Sequence, residues 1–574
     1  GSVPAPAPSD ADLLRILEFT VGGVPMDPYL PLLEEELAYR GEDRRAPGWR
    51  LDEIAPGTSF EVLIIGAGMS GLLAAHRLQQ AGVAFTIVDK NDGIGGTWWE
   101  NTYPGCRVDN PNHNYSYSFA QRHDWPFHFS TQDVLRSYFE ECADAFGLRE
   151  HIRFRTEVLT ATWSDDDLRW SVQVRNADGS EETLTADAVV SAVGQLNQPR
   201  YPTEIDGFGT FTGPAFHSAR WDASVDLTGK RVAVIGTGAS AMQLIPEIAP
   251  IVGELFVHQR TPAWIAPTPD YHDPIADGLR WLYAHVPSYS EFHRFCIFWA
   301  MGDGALMSVT VDPDYPPTER AVSEMNEMSR ELLTEYIRTE FADRPDLLEH
   351  VIPAYPPGSK RGIRDNGVWA RTLKRDDVHL VTTPIAAITE RGLRLADGTE
   401  EDVDVIIYGT GFKASEFLTP MRVIGRGGVE LHDRWQGEAR AYLGVSVPGY
   451  PNLFCLYGPN TNIVVNGSIV YFSECGVRFI LGLIETALRA GKRAIHVRDD
   501  VHDRFNDEVD AANRLMAWGF SSVSSWYKNS SGRVAQNWPF TLLDYWQRTL
   551  RPDPDEAASA STSHAASVTC GHSM

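Results

Sequence analysis

The chain has 574 residues, 43% of them hydrophobic and 16 of them tryptophan, enough for roughly three or four domains with large buried cores. Its formal net charge of -27 repels phosphate backbones and anionic bilayers, which argues against nucleic acid and membranes as partners. Six cysteines without a CxxC pair, no apolar run of about 18 residues and no signal peptide at "GSVPAPAPSD" point to a reduced, cytoplasmic chain without a disulfide framework or a transmembrane helix.

In chain order, residues 1–55 read as a helical extension. Ser9 or Asp10 caps a first segment with Leu13, Leu14 and Leu17 on one side, and "PLLEEELAYR" repeats the pattern. "RAPGWRLDEIAPGTS" is a loop, with two prolines and two glycines.

Two similar units follow. In "FEVLIIGAGMSGLLAAHRLQQAGVAFTIVDK" a buried strand, Val62 to Ile65, runs into Gly66, Gly68 and Gly71 in G-x-G-x-x-G spacing. An amphipathic helix comes next, then a second strand ending at Asp89. In "KRVAVIGTGASAMQLIPEIAPIVGELFVHQR" the turn is Gly236, Gly238 and Ala241, and the second strand ends near Arg260. A strand before, a helix after and a second strand about 20 residues on make the dinucleotide reading strong for each unit. The first glycine turns the chain, the second lets backbone approach a pyrophosphate, and the third lets helix pack on strand. Asp89 suits ribose hydroxyls and repels a ribose phosphate, so the first unit is expected to hold FAD. Arg260, with no acid beside it, suits a 2'-phosphate, so the second unit is expected to hold NADPH.

The apolar strand and turn "DVDVIIYGTGF" (402–412) and the loop "PNLFCLYGPN" (451–460) resemble the late segments of two-dinucleotide flavoproteins, where the chain returns to its flavin domain. The expected fold is therefore α/β, a two-dinucleotide-binding-domain flavoprotein with Rossmann-like FAD and NADPH domains and a helical insertion. The expected boundaries are 56–205 for the first part of the FAD domain and 206–400 for the NADPH domain. The insertion falls at about 270–350, the second FAD part at 401–551, and a small, polar, disordered tail at 552–574.

Between the units lies "FTGPAFHSARW", with Phe211, Gly213, His217 and Trp221 in F-x-G-x-x-x-H-x-x-x-W spacing. "GGTWWENTYPGCRVD" carries Gly95, Gly96, Trp98, Tyr103, Pro104, Gly105 and Asp109 in GGxWxxxxYPGxxxD spacing. Both resemble the motifs of type I Baeyer–Villiger monooxygenases at every fixed position. The similarity covers about residues 20 to 550, and "NTYPGCRVD", "KRGIRDNGVW" and "SSWYKNSSGRV" bring it nearest the 4-hydroxyacetophenone monooxygenase branch.

The resemblance implies an enzyme that takes a ketone and O2 as substrates and NADPH as reductant. It inserts one oxygen atom beside the carbonyl through a C4a-peroxyflavin, giving an ester or lactone, with aryl ketones the nearest class. It places Arg361, in "GSKRGIRDNG", beside the reacting flavin as a permanent cation, oriented by Asp109. It makes Gly96, Trp98, Tyr103 and Trp526 cofactor-binding residues and Lys360 a second phosphate ligand beside Arg260. His217 and Trp221, with Phe211 and Gly213, couple the two domains and are not read as a base or nucleophile. Gln195 is placed near the nicotinamide or flavin, and the aromatic segment 291–306 in packing or along a substrate path. Flavin-dependent N- or S-oxygenation and a non-catalytic, redox-sensing flavoprotein are the alternatives. Scattered histidines argue against a metal site, and the absence of GxSxG against that type of hydrolase. A monomer and a homodimer both fit.

Overall fold

Each glycine-turn unit builds a five-stranded parallel sheet. The computed structural model describes residues 8–316, 318–465 and 467–559. In the first sheet the strands run in the order Leu453–Cys455, Ala188–Ser191, Glu61–Ile65, Ala84–Val88, Ile152–Arg153. The run Val62–Ile65 is buried throughout, as a central parallel strand covered on both faces requires. The helix Met69–Gln80 lies over it and buries Leu72, Leu73, Ala75 and Leu78. The 21-residue helix Ile469–Arg489 packs on that helix, and Ser70 Oγ meets Ser473 Oγ at 2.9 Å between them.

The second sheet runs Val378–Val381, Glu254–His258, Arg231–Ile235, Val405–Tyr408, Ala215–His217. This corrects one boundary drawn from the sequence. Val405–Tyr408 pairs with Arg231–Ile235, so the segment after residue 401 still belongs to the second unit. Its four buried apolar residues complete that sheet, and the chain rejoins the first sheet only at Leu453–Cys455. An apolar strand followed by glycines looks alike in either sheet, so sequence could not choose between them.

Between the units' shared elements sit helices Asp277–His285, Tyr289–Ala300 and Glu324–Glu340. In the aromatic segment 291–306, Phe295 and Phe298 are core residues. Asp303 accepts from the Leu542 and Leu543 N–H groups at 2.6 and 3.2 Å and so caps the helix Leu542–Thr549, while Tyr29 donates to it at 2.9 Å. One continuous apolar core joins the two units: Val62 and Ile64 of the first sheet belong to it together with Val232 and Val234 of the second.

The N-terminal helices pack on their own chain. Ser9 caps the helix Asp10–Thr20, accepting from the Asp12 N–H at 3.2 Å, and Leu13 and Leu17 are buried. After the helix Leu30–Leu37, Arg45 pairs with Glu36 at 2.8 Å and with Glu474 of the long helix. Arg294 of the insertion also grips Glu36, and Arg478 reaches Glu35 at 2.7 Å. Burial alone would raise the Glu36 carboxyl, yet the guanidinium groups of Arg294 and Arg45 hold it below the usual carboxylate range.

The expected tail is also corrected. Pro554–Glu556 forms a short helical turn, and Ala557–Ser559 pairs antiparallel with Ile495–Val497. The first seven residues and residues 560–574 lie outside the described residues. Among the described residues no helix is long and apolar enough to cross a membrane, and no group of His, Cys, Asp or Glu could hold a metal ion.

Candidate active site

The first glycine turn has no room for a side chain at Gly66 or Gly71. Gly66 has φ +110°, and a Cβ there would stand 2.7 Å from the Ala192 carbonyl oxygen. A Cβ on Gly71 would stand 1.9 Å from the Gly66 oxygen, so the helix touches the strand there. Gly68 is the N-cap of Met69–Gln80 and no side chain caps that end. Its helix dipole and backbone donors are thus left for an anion. Asp89 reaches back under the turn, accepting from the Ala67 N–H at 2.6 Å and the Asn91 N–H at 2.8 Å. Burial pushes its carboxyl up from the ordinary value.

Gly96 closes on this turn, with φ +56° and a Cβ position 3.1 Å from the Gly68 Cα. The following residues form the short helix Thr97–Glu100, where Trp98 is buried and donates to the Tyr115 hydroxyl at 3.2 Å. Glu100, on its last turn, takes Lys90 at 2.9 Å and Asn91 at 3.1 Å from the end of the second strand. A cleft of about 670 Å³ opens there, lined by Lys90, Trp99, Glu100, Arg155 and Arg220 among others.

The second turn repeats the first. Gly236 has φ +110° and its Cβ position is 2.4 Å from the Gly409 oxygen. Gly238 caps Ala239–Ile248 without a side chain on the cap, and Ala241 is buried beneath it. Arg260, two residues past the strand Glu254–His258, is exposed and has no acid within ion-pair distance among the described residues. Lys360 lies in its field, over the Tyr355 ring at 5.7 Å. Burial, with Arg260 adding to it, lowers the Lys360 amine to about 8. Two cations facing each other without a carboxylate suit a phosphate dianion.

The YPG motif docks the first unit onto the second. Tyr103 donates to Gln243 Oε1 at 2.8 Å, and Gln243 Nε2 donates to the Arg107 carbonyl at 3.0 Å and the Tyr271 hydroxyl at 2.7 Å. Gly105 must be glycine, since its φ is +77° and a Cβ would stand 2.6 Å from the Gln243 oxygen. Gln243 lies on the glycine-turn helix of the second unit, so this contact crosses the seam.

At the end of that motif Asp109 meets Arg361, Nη2 to Oδ2 at 2.6 Å and Nε to Oδ2 at 3.1 Å. The two side chains are 30% and 24% exposed, so the pair lies at an open but sheltered site. Burial would raise Asp109, but Arg361 and then Arg364 hold it below the ordinary carboxylate range. Burial would lower Arg361, but Asp109 raises it above the ordinary guanidinium value. Arg364 donates to the Asp109 carbonyl at 2.7 Å and touches Met301 Sδ at 3.3 Å. Burial pushes the Tyr527 and Tyr115 phenols up to about 12, so both stay neutral beside the charges.

Trp526 is half-buried, edge-on to Tyr527 at 4.8 Å, and it is Tyr527 that lies against Arg361. Gln195 is buried and donates to the Tyr457 carbonyl at 3.1 Å, leaving its Oε1 unpartnered. His217 accepts from the Ala219 N–H at 3.0 Å and sits between the rings of Tyr201 and Phe412. Burial lowers it to about 4, against a backbone hydrogen bond at Gly411, so it is neutral at pH 7. Trp221 stands edge-on to Phe216 at 5.1 Å, and the Phe211 ring covers Gly213, where a Cβ would clash at 2.7 Å. The structure thus gathers Asp109, Arg361 and Lys360 near the seam, with Asp89 and Gly96 at the first turn and the fingerprint on the edge strand Ala215–His217 of the second sheet.

Arg364, Tyr527, Gln243 and Arg220 escaped the sequence reading. Arg220, at a free position of the fingerprint, reaches Glu100 at 3.4 Å and the Asn197 carbonyl at 3.4 Å, tying the second unit to the first. The R-x-x-R spacing of Arg361 and Arg364 is the one local signal that could have been read.

Residues 59–270 match the family model described as flavin-binding monooxygenase-like. A Baeyer–Villiger monooxygenase of Streptomyces coelicolor is 35% identical over 86% of this chain and 91% of its own length. An uncharacterized monooxygenase of Sinorhizobium fredii is 37% identical over 96% of this chain and 82% of its own. Among solved structures, OTEMO in complex with FAD and NADP superposes with a TM-score of 0.74 at 29% identity, covering 88% of this chain and all of that one (100%).

Proposed function

The chain belongs to the flavin-binding monooxygenase family, among its Baeyer–Villiger members, and from that premise we propose an NADPH- and FAD-dependent oxidation of aryl ketones to esters. FAD fits the first unit: its glycine turn excludes side chains at Gly66 and Gly71, its helix end is uncapped, and Asp89 stands ready for ribose hydroxyls. NADPH fits the second: the same turn recurs, and Arg260 and Lys360 leave two positive charges for a 2'-phosphate. When bound, these cofactors supply the reducing equivalents and the dioxygen chemistry, while the protein supplies position and charge.

The observation that carries this reading is the Arg361–Asp109 pair. Arg361 keeps its proton at any working pH and offers a fixed charge to a developing anion without needing a proton transfer. Asp109 accepts from both Nε and Nη2 and so fixes the plane of the guanidinium. Arg364 steadies the Asp109 backbone from the other side. Tyr115, Tyr457 and Tyr527 line the partly sheltered pair, and a lowered local dielectric there strengthens its charge interactions. His217, neutral and packed between rings, and Arg220, bridging to Glu100, join the two cofactor sites across the seam.

The test is product analysis of NADPH-dependent oxidation across aryl, cyclic and long-chain aliphatic ketones. Aryl esters formed with one NADPH consumed per ester are expected. NADPH consumption with no oxygenated product from any ketone refutes the activity, and exclusive turnover of cyclic ketones refutes the aryl assignment.

A further inference from the structure

We propose that Asn326, on the helical insertion, is a positioning residue that holds the turn carrying Lys360. This rests on the reading of Lys360 and Arg260 as the 2'-phosphate site. Asn326 is fully buried at 0% exposure, on the first turn of the helix Glu324–Glu340. An amide there is a poor core residue unless its polar atoms are all used. They are: Nδ2 donates to the Pro357 carbonyl at 3.1 Å and to the Ser308 carbonyl at 2.7 Å, and Oδ1 accepts from the Val322 N–H at 3.3 Å. The Asn326 N–H in turn donates to Ser323 Oγ, the cap of the same helix, at 3.1 Å.

Pro357 opens the turn that leads through Gly358 and Ser359 to Lys360 and Arg361. Gly358 has φ +86°, and its Cβ position is 2.5 Å from Val309 Cγ1, so the turn is pressed against the insertion. Ser359 donates to the Ala517 carbonyl at 3.1 Å on the other side. Upstream, Trp264 Nε1 donates to the Tyr355 carbonyl at 2.9 Å. The two cations beyond this turn are anchored differently. Arg361 has its own carboxylate in Asp109, whereas Lys360 has no acid partner among the described residues and is placed by the turn and by the Tyr355 ring beneath its amine. Loosening the turn at Pro357 therefore displaces Lys360 and leaves Arg361 held.

The experiment is calorimetric titration of the flavin-loaded protein with 2',5'-ADP and with ADP, wild type against Asn326→Ala, with Lys360→Ala as a reference. The wild type is expected to prefer 2',5'-ADP. Asn326→Ala is expected to bind 2',5'-ADP about tenfold more weakly, with ADP affinity unchanged. Steady-state rates should show a raised KM for NADPH, with the kcat at saturation and the yield of oxygenated product per NADPH near wild type. A variant that keeps the wild-type preference overturns the role of Asn326 alone. A wild type with no preference for the 2'-phosphate overturns the phosphate site and this inference together. Should the alanine variant fail to fold, Asn326→Ser, too short to reach the Pro357 carbonyl, is read in the same way.

Discussion

Arg361 and Lys360 are adjacent in sequence and stand in opposite electrostatic surroundings. Arg361 stays charged and is ion-paired with Asp109 in a sheltered site. Replacing it by alanine leaves the glycine turns untouched, so Arg361→Ala should still bind and reduce FAD. Its rate of ester formation should fall by about 10²–10³-fold, the usual cost of losing a charge donor at a developing anion. Ester formation at the wild-type rate would refute the role. Lys360 faces Arg260 instead, and burial with that neighbour brings its amine down to about 8. Its positive charge is present below that pH and is lost as pH rises through it. The kcat/KM for NADPH, which reports the free enzyme, should therefore fall as pH rises through about 8, while kcat/KM for NADH stays flat. Lys360→Arg should remove the alkaline limb, because a guanidinium does not titrate in that range. An alkaline limb that persists in Lys360→Arg, or that appears equally with NADH, would assign it to another group.

At the scale of elements, the eight-residue helix Leu30–Leu37 is too short to persist on propensity. It is held by buried charges. Glu36 bridges Arg45, from its own segment, and Arg294, from the insertion, while Glu474 meets Arg45 from the long helix of the first unit. The cluster thus staples the N-terminal extension to both units. Removing one member of a buried ion cluster costs about 3–5 kcal/mol, because the partners stay buried without their counter-charge. Glu36→Ala should lower the denaturant midpoint accordingly, read by urea unfolding of the holoenzyme. A loss under about 1 kcal/mol would mean that the cluster behaves like an exposed salt bridge. The helix itself was readable from its leucine spacing, as was a cap at Ser9 or Asp10, of which the structure takes Ser9. The ionic partners were not, because Glu474 and Arg294 lie hundreds of residues away.

At the scale of the whole molecule, a chain of net charge -27 carries a basic seam. Arg107, Arg260, Lys360, Arg361 and Arg364 come from three separated stretches and gather where the units meet. Field lines from such a cleft draw anionic nucleotides inward although the outer surface is acidic. The seam is also mechanically continuous. Tyr103 to Gln243, Arg107 to the Tyr271 carbonyl at 2.8 Å and Arg220 to Glu100 cross it, and one apolar core lies beneath.

The sequence by itself determined the two strand–turn–helix units and their glycine turns, while the pairing of Asp109 with Arg361 came from the motif resemblance. These rest on local sterics and short spacing, or on motifs whose residues keep a fixed order. It also set the expectation that Asp89 marks the FAD unit and Arg260 the NADPH unit. Only the tertiary structure decided which sheet takes the strand Val405–Tyr408, because parallel pairing is a long-range contact that an apolar tetrapeptide leaves open. It alone brought Tyr527 against Arg361, paired Ala557–Ser559 with a strand some 60 residues earlier, and set Asn326 under the Lys360 turn. Each of those depends on a backbone carbonyl, an N–H or a ring edge from a distant segment, and residue type does not encode which distant group will arrive.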